Sequence, residues 1–397
     1  MASYVVDAAN ANSPTDVQGA KQGAEEFRAL KLRVNTLGAA VGGTIGTFKN
    51  RIYNSSWRFD QINEGALYTA AAGIFNAVDG WSTILVGAGV FKLRRLVDTT
   101  RFLPNNSGFI LEVTCTTADA AIAAGDEYAI DHAIEGYDVA DLLSGTSGAK
   151  QITIRFPMNF SVVGTYGVAI RNSAADRTYI GTVTQNVAGA DEVKTVTLTL
   201  DTAGTWLKTN GVGLQVSFCL AAGTTYQATA GSWQAGNFLT TSAQVNFMSN
   251  IANTGYIGRI QLEKGAVATE FEELSIQQDL ARCQRYYWKT FAQGTAVAQA
   301  AGRVGAISYR AVVTGVGPFG CVMTYFPVEQ RANGTITYYS PDVASANWRN
   351  IGVGESGAAT SEGTPSPHRI AILNTQVAGD NAGALLQIHA TVNSRLS

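Results

Sequence analysis

Short runs in which apolar and polar residues alternate recur along this chain, and that period of two constrains the fold more than any other feature. Val196, Leu198 and Leu200 alternate with Thr195, Thr197 and Thr199, and Leu214, Val216, Phe218 and Leu220 alternate with Gln215, Ser217 and Cys219. Each run predicts a strand with one apolar face. Residues 109–113, 151–156 and 166–170 read the same way. Gly, Asn and Asp separate these runs and no crossover helices stand between them, so a β-sandwich is expected rather than a parallel α/β sheet. After residue 292 five more runs follow, 306–310, 321–326, 335–340, 370–374 and 385–392, which predict a second, smaller sandwich. Glycine-rich 352–363 is expected to be an exposed loop, because its low apolar content cannot offset the entropy of ordering it.

The two halves meet in a strand–loop–helix segment. Ile260 and Leu262 point to one side of an extended run while Arg259, Gln261 and Glu263 point to the other, and Gly265 ends it. Ser275 then precedes Ile276, Leu280, Cys283 and Tyr287 at helical spacing, with Gln277 and Gln278 in the first turn, which predicts a helix over 276–289. Tyr286, Tyr287 and Trp288 are expected to pack that helix against a neighbouring subunit or domain.

This wording, QLEKG at 261–265, Phe271, then CQRYY at 283–287, resembles a junction of bacteriophage tail-fibre and related virion appendage proteins. Residues 135–143, 145–148 and 231–237 are similar to the jelly-roll, carbohydrate-binding-like module of the same family, in the same order, and the FPVEQR run at 326–331 resembles a segment that follows the helix in phage fibres. The resemblance covers roughly residues 50–290. It implies a virion location and an adhesive role, and it brings no catalytic motif.

Ahead of these modules, residues 1–20 are small and polar and read as an extended anchoring peptide. Phe27, Leu30, Val34, Leu37 and Val41 then fall at steps of three and four. Two heptads are too few to hold a coiled coil alone. Such a seam lies on its own domain or, as the resemblance implies, zips a parallel homotrimer. The organisation expected is therefore mainly β: a virion-anchoring peptide and short trimerising helix over 1–48, a jelly-roll β-sandwich over 49–274, a linker helix over 275–292, and a C-terminal β-sandwich over 293–397 as a receptor-binding tip.

Only 15% of residues are charged, against about a quarter in a typical soluble domain, and the formal net charge is -2. That balance leaves no electrostatic footprint for nucleic acid or an anionic membrane. No apolar run reaches membrane-spanning length and no secretory leader is readable, so the expectation is a chain made in the host cytoplasm and carried outward on a particle. The four cysteines, Cys115, Cys219, Cys283 and Cys321, form no C-x-x-C pair and are expected as buried free thiols.

The chemistry-bearing residues point to binding. Asp138 and Asp141, three apart, could share one face as a glycosidase pair or a calcium site, but Asp138 as cap of a helical turn stopped by Gly145, with Asp141 solvated, accounts for both. His132, His368 and His389 stand beside no nucleophile motif and read as structural or exposed, with His389 on the outer face of the last strand. Sugars present C–H faces to aromatic rings and hydroxyls to polar side chains. Trp233 with Asn237, Tyr338 and Tyr339 with Asp342, and Trp348 in a polar loop meet that pattern, whereas Trp57 and Trp206 read as core. No cofactor or metal is expected. The sequence thus reads as a non-enzymatic structural virion protein, a trimeric tail fibre attaching to a host surface polysaccharide through its tip and to other virion proteins through its N-terminal segment. A head fibre or capsid decoration, or a polysaccharide depolymerase, is the alternative.

Overall fold

The structure is a computed structural model that describes residues 48–103, 107–311, 317–361, 366–377 and 380–396. The seam at Phe27, Leu30, Val34, Leu37 and Val41 lies outside them. Residues Asn50–Ser397 form one compact unit. Among the described residues no helix is long and apolar enough to cross a membrane.

The first fourteen strands are β1 (Tyr68–Thr69), β2 (Gly73–Val78), β3 (Trp81–Val86), β4 (Val90–Val97), β5 (Phe109–Thr117), β6 (Glu127–Glu135), β7 (Gln151–Phe160), β8 (Gly164–Arg171), β9 (Arg177–Gln185), β10 (Glu192–Thr199), β11 (Val212–Ala222), β12 (Trp233–Ala235), β13 (Thr254–Ile257) and β14 (Gln261–Lys264). They make two antiparallel sheets, β1-β4-β5-β13-β7-β10 with β14 also paired to β7, and β12-β9-β8-β11-β6-β3-β2. The sheets face each other across one apolar core, where the rings of Phe156 on β7 and Phe218 on β11 meet edge to face at 4.9 Å. The expected β-sandwich is present, and Trp57 and Trp206 lie in this core.

The alternation of β10 holds: Val196 and Leu198 are buried while Thr195, Thr197 and Thr199 are exposed. In β11 and β14 it does not describe one wet face. Ser217 and Cys219 are buried because Leu239 and Tyr226 cover the far side of β11, and Gln261 and Glu263 are buried because Thr269 bonds across them. The short helix α1 (Gly136–Val139) is not capped by Asp138. Its first donors, Gly136 N and Tyr137 N, are taken by the carbonyls of Gly211 and Thr209, so no carboxylate is needed, and Leu143 in the left-handed region (φ 57°), not Gly145, turns the chain away.

Helix α2 (Ile276–Gln284) starts with a capping box between Ser275 and Gln278, and it stops five residues short of the expected end because residues 287–289 pair as a strand. The second part contains β15 (Tyr287–Lys289), β16 (Ile307–Arg310), β17 (Gly317–Tyr325), β18 (Thr335–Tyr339), β19 (Asn347–Asn350), β20 (Gly354–Ser361), β21 (Arg369–Gln376) and β22 (Leu385–Asn393), in an eight-stranded sheet ordered β15-β22-β19-β20-β21-β17 with β16 and β18 also on β22. The expected loop at 352–363 is corrected for residues 354–361. Strands β19 and β21 supply backbone partners on both sides, which long-range pairing provides and local composition does not reveal.

The seam between the two parts is polar and buried. Tyr53 stacks on Tyr286 at 4.4 Å, and Glu135 receives Arg285 (2.6 Å) and the Tyr286 hydroxyl (2.9 Å). Arg395 reaches Asp79 at 2.9 Å, and the Lys289 ammonium, fully buried, bonds Glu64 and the carbonyls of Gln61 and Thr295. Of the cysteines, Cys115, Cys219 and Cys283 are buried free thiols, but Cys321 is exposed because its alternate register on β17 faces outward.

Candidate functional site

The outer face of the first sheet carries a groove. Along β7 the residues Ile154, Phe156 and Met158 point into the core, so Arg155, Pro157 and Asn159 point out. Tyr256 on β13 and Gln261 on β14 stand beside them on the same face. Three loops form the walls: the turn at 100–103 after β4, the segment at 189–193 leading into β10, and residues 269–271 after β14. One end, lined by Phe102, Arg155, Pro157, Val193, Arg259 and Phe271 among others, encloses about 130 Å3. Past Asp191, which lines both parts, it opens into a cleft of about 550 Å3 beside Thr100, Arg101, Asn159, Ser161, Thr254 and Tyr256.

The turn at 100–103 is tied to Asp98 by several hydrogen bonds. Asp98 accepts from Thr100 N (2.7 Å), the Thr100 hydroxyl (2.9 Å) and Arg101 N (3.0 Å), and it pairs with the Arg101 guanidinium. Burial acts to raise the Asp98 pKa, but the donors from Arg101 and Thr100 outweigh it and hold the carboxyl down at about 2. Arg101 is thereby laid over the Tyr256 ring, 3.8 Å from its centre. Burial, then the nearby Glu112 carboxylate, push the Tyr256 phenol up, so it stays a neutral donor. The second wall is tied in by Asp191, which accepts from Phe102 N (2.6 Å) and Asn159 Nδ2 (2.7 Å). Arg259 pairs with Glu273 and stacks against Phe271 at 5.1 Å. The arrangement offers flat rings beside hydroxyl, amide and guanidinium edges, the chemistry of a saccharide site. Among the described residues no group of His, Cys, Asp and Glu could hold a metal ion.

The residues singled out from sequence lie elsewhere. Trp348 is corrected most: it is fully buried in β19, its indole N–H donates to Leu373 O at 3.0 Å, and Tyr309 meets it edge on at 5.1 Å. The Tyr338 hydroxyl bonds Ser361 (2.7 Å), Tyr339 meets Phe291 edge on, and Asp342 is gripped by Arg303 and Arg349, both at 2.6 Å. Those two hydrogen-bonded guanidinium groups hold the Asp342 carboxyl down at about 2. Trp233, half-buried on edge strand β12, meets Trp206 edge on at 5.3 Å and donates to Thr199 O, while Asn237 accepts from Arg171 at 2.7 Å. None of the six lines the groove. His389 is also corrected: it is buried, stacked on Phe291 at 4.1 Å, with its ring nitrogens on Thr290 and the Gly302 carbonyl. Asp141 is exposed and paired with Arg51 and Lys264. Sequence reasoning missed Tyr256, Arg101 and Arg155. The readable signal was Arg155 itself, a charge at an outward position between Ile154 and Phe156 in an otherwise uncharged strand.

No protein-family model and no curated protein sequence matches the chain. Among solved structures, similar ones include the enzymatically active domain of tailspike protein 4 of bacteriophage CBA120, at 7% identity and a TM-score of 0.28 over 55% of this chain and 22% of that one. A structure described as CBM4 gives 15% identity and a TM-score of 0.28 over 54% of this chain and 99% of its own. A family 11 carbohydrate-binding module from a cellulosomal cellulase of Clostridium thermocellum gives 11% identity and a TM-score of 0.26 over 51% of this chain and all of its own. This chain thus spans less than a quarter of the tailspike structure.

Proposed function

We propose that this chain is a non-enzymatic phage virion protein, a trimeric tail fibre, that attaches to a host surface glycan through the groove on its first sheet. The observation that carries the binding part is the Tyr256–Arg101 platform, fixed by Asp98 and flanked by Asn159, Ser161 and Thr254. A sugar ring laid there gains C–H contact with flat groups and hydroxyl partners at its edge. The virion part rests on the sequence resemblance of the 258–288 junction and the 326–331 segment. Weak single-site binding suffices for a fibre, because several copies on one particle raise the effective concentration.

Tyr256→Ala tests the reading. Binding to host polysaccharide should fall about tenfold or more while the folded signal is unchanged. Undiminished binding and adsorption would remove the groove from the proposal. Leu30→Asp should lower the trimer fraction in sedimentation, and an unchanged oligomer would remove the seam. Electron cryomicroscopy of the particle separates tail from capsid.

A further inference from the structure

We propose that the enclosed end of the groove is an acidic-sugar subsite, in which the Arg155 guanidinium receives the carboxylate of one sugar residue of the bound glycan. This rests on the glycan-binding reading of the same groove and names its ligand class. Arg155 rises from the middle of β7, half-buried, with Gln261 and Thr195 opposite it on the neighbouring strands. Its side chain makes no hydrogen bond or ion pair among the described residues. A guanidinium drawn part-way out of water without a partner is costly, so a site that keeps one is set for an incoming anion.

The other charges lining this end are already committed. Asp191 accepts from Phe102 N and Asn159, as above. Glu192 accepts from Val187 N (2.8 Å) and Asn186 N (2.8 Å) and pairs with Lys194. Burial acts to raise the Glu192 pKa, yet Lys194 and these N–H groups hold it at about 2. Neither carboxylate bonds Arg155. Arg259 is matched by Glu273. Among the described residues, Arg155 is therefore the charged side chain lining this end that has no hydrogen-bond or ion-pair partner.

Shape agrees with one ring. The volume of about 130 Å3 is below the ~300–1,000 Å3 of sites that bury a whole drug-sized ligand. Pro157, Phe102 and Phe271 supply apolar walls for C–H faces, and the neighbouring residues of the glycan have room past Asp191 in the wider cleft beside Tyr256. The planar fork of arginine matches a carboxylate with two parallel hydrogen bonds, which a lysine cannot reproduce.

The test uses the full chain and isothermal titration with oligosaccharides containing glucuronate, galacturonate or sialate, each paired with its carboxyl-reduced neutral form. At least one acidic form should bind roughly ten- to hundred-fold tighter than its neutral partner, as a charge-assisted pair supplies. Arg155→Gln should abolish that preference, bringing the acidic form down to the affinity of its neutral partner, and Arg155→Lys should restore part of it. Equal binding of acidic and neutral forms by the unaltered chain, which needs no variant to fold, overturns the subsite and leaves the groove as a neutral-glycan site. A preference that survives in Arg155→Gln overturns it as well. If neither form binds and Tyr256→Ala leaves adsorption unchanged, the glycan reading fails and takes the subsite with it.

Discussion

Arg395→Met should be among the most damaging single changes at the seam, through what it leaves behind. Asp79 and Arg395 are both buried, with side chains 2% and 3% exposed, and sit 2.9 Å apart. Removing the cation leaves the Asp79 carboxylate with Gln61 Nε2 (2.8 Å) as its remaining side-chain donor. Breaking a buried pair on one side costs ~3–5 kcal/mol, because the other charge stays dehydrated. Replacing both partners costs far less: Nε and Nη1 of Arg395 are buried without a partner, so the pair is itself incompletely satisfied. Asp79→Asn combined with Arg395→Met should therefore recover all but ~1 kcal/mol. Acid should also relieve the single variant. Burial already raises the Asp79 pKa and Arg395 opposes that rise, so without Arg395 it climbs further. A carboxyl raised in the folded state adds stability that is complete below its unfolded pKa and lost as pH rises through its folded pKa. The Arg395→Met defect should shrink by up to ~1.4 kcal/mol per pH unit from pH 7 towards pH 5. Urea unfolding followed by tryptophan fluorescence at both pH values reads this directly. An equal defect at pH 5 and 7, or no recovery in the double variant, refutes the reasoning.

Trp348→Ala should cost ~3–5 kcal/mol in the same assay, because it empties the core of the second part, and it should alter adsorption only in proportion to the folded fraction. Gly223→Ala should cost more than ~2 kcal/mol: its Cβ would stand 1.9 Å from Ala123 O and 2.5 Å from Ala124 O, both backbone, so no side chain can yield. The pH of maximum stability should lie on the acid side of neutral. Burial raises Asp60 from 3.8 to about 6, and also raises Asp79, Glu127 and Asp279, so their contribution, complete below their ordinary carboxylate values, fades as pH climbs through the raised ones. Asp98, Glu192 and Asp342, held at about 2, add stability above the usual carboxylate range that is lost as pH falls towards 2. Thermal unfolding between pH 3 and 8 locates the maximum; one above pH 7 contradicts this balance.

The sequence reveals an element where the physics that makes it is local. Val196 and Leu198 alternate with threonines because one face of β10 meets the core and the other meets water, and the Ser275–Gln278 cap closes over three residues. It conceals an element where the partner is distant. Strand β20 has almost no apolar alternation, yet it pairs because two neighbours offer free edges. Searching for tryptophan beside polar residues favours the core, since a large ring buried with its N–H satisfied, as in Trp348 bonded to Leu373 O, serves packing as well as it could serve recognition.

The groove shows the same division in one place. Its floor comes from β7, β13 and β14, and its walls from residues near 100, 190 and 270, so no window of sequence contains it. What local sequence does contain is a device at two of the three walls: Asp98 gathering the N–H groups of the following turn, and Glu192 gathering those at 186 and 187. Both carboxylates lie within six residues of the donors they bind, and both are thereby withdrawn from external ligands. Two acidic side chains, Asp98 and Glu192, bond locally and set their turns, Asp191 reaches across the sheet to Phe102 N and Asn159, and the arginine between Ile154 and Phe156 has no side-chain partner among the described residues, on its own strand or across it.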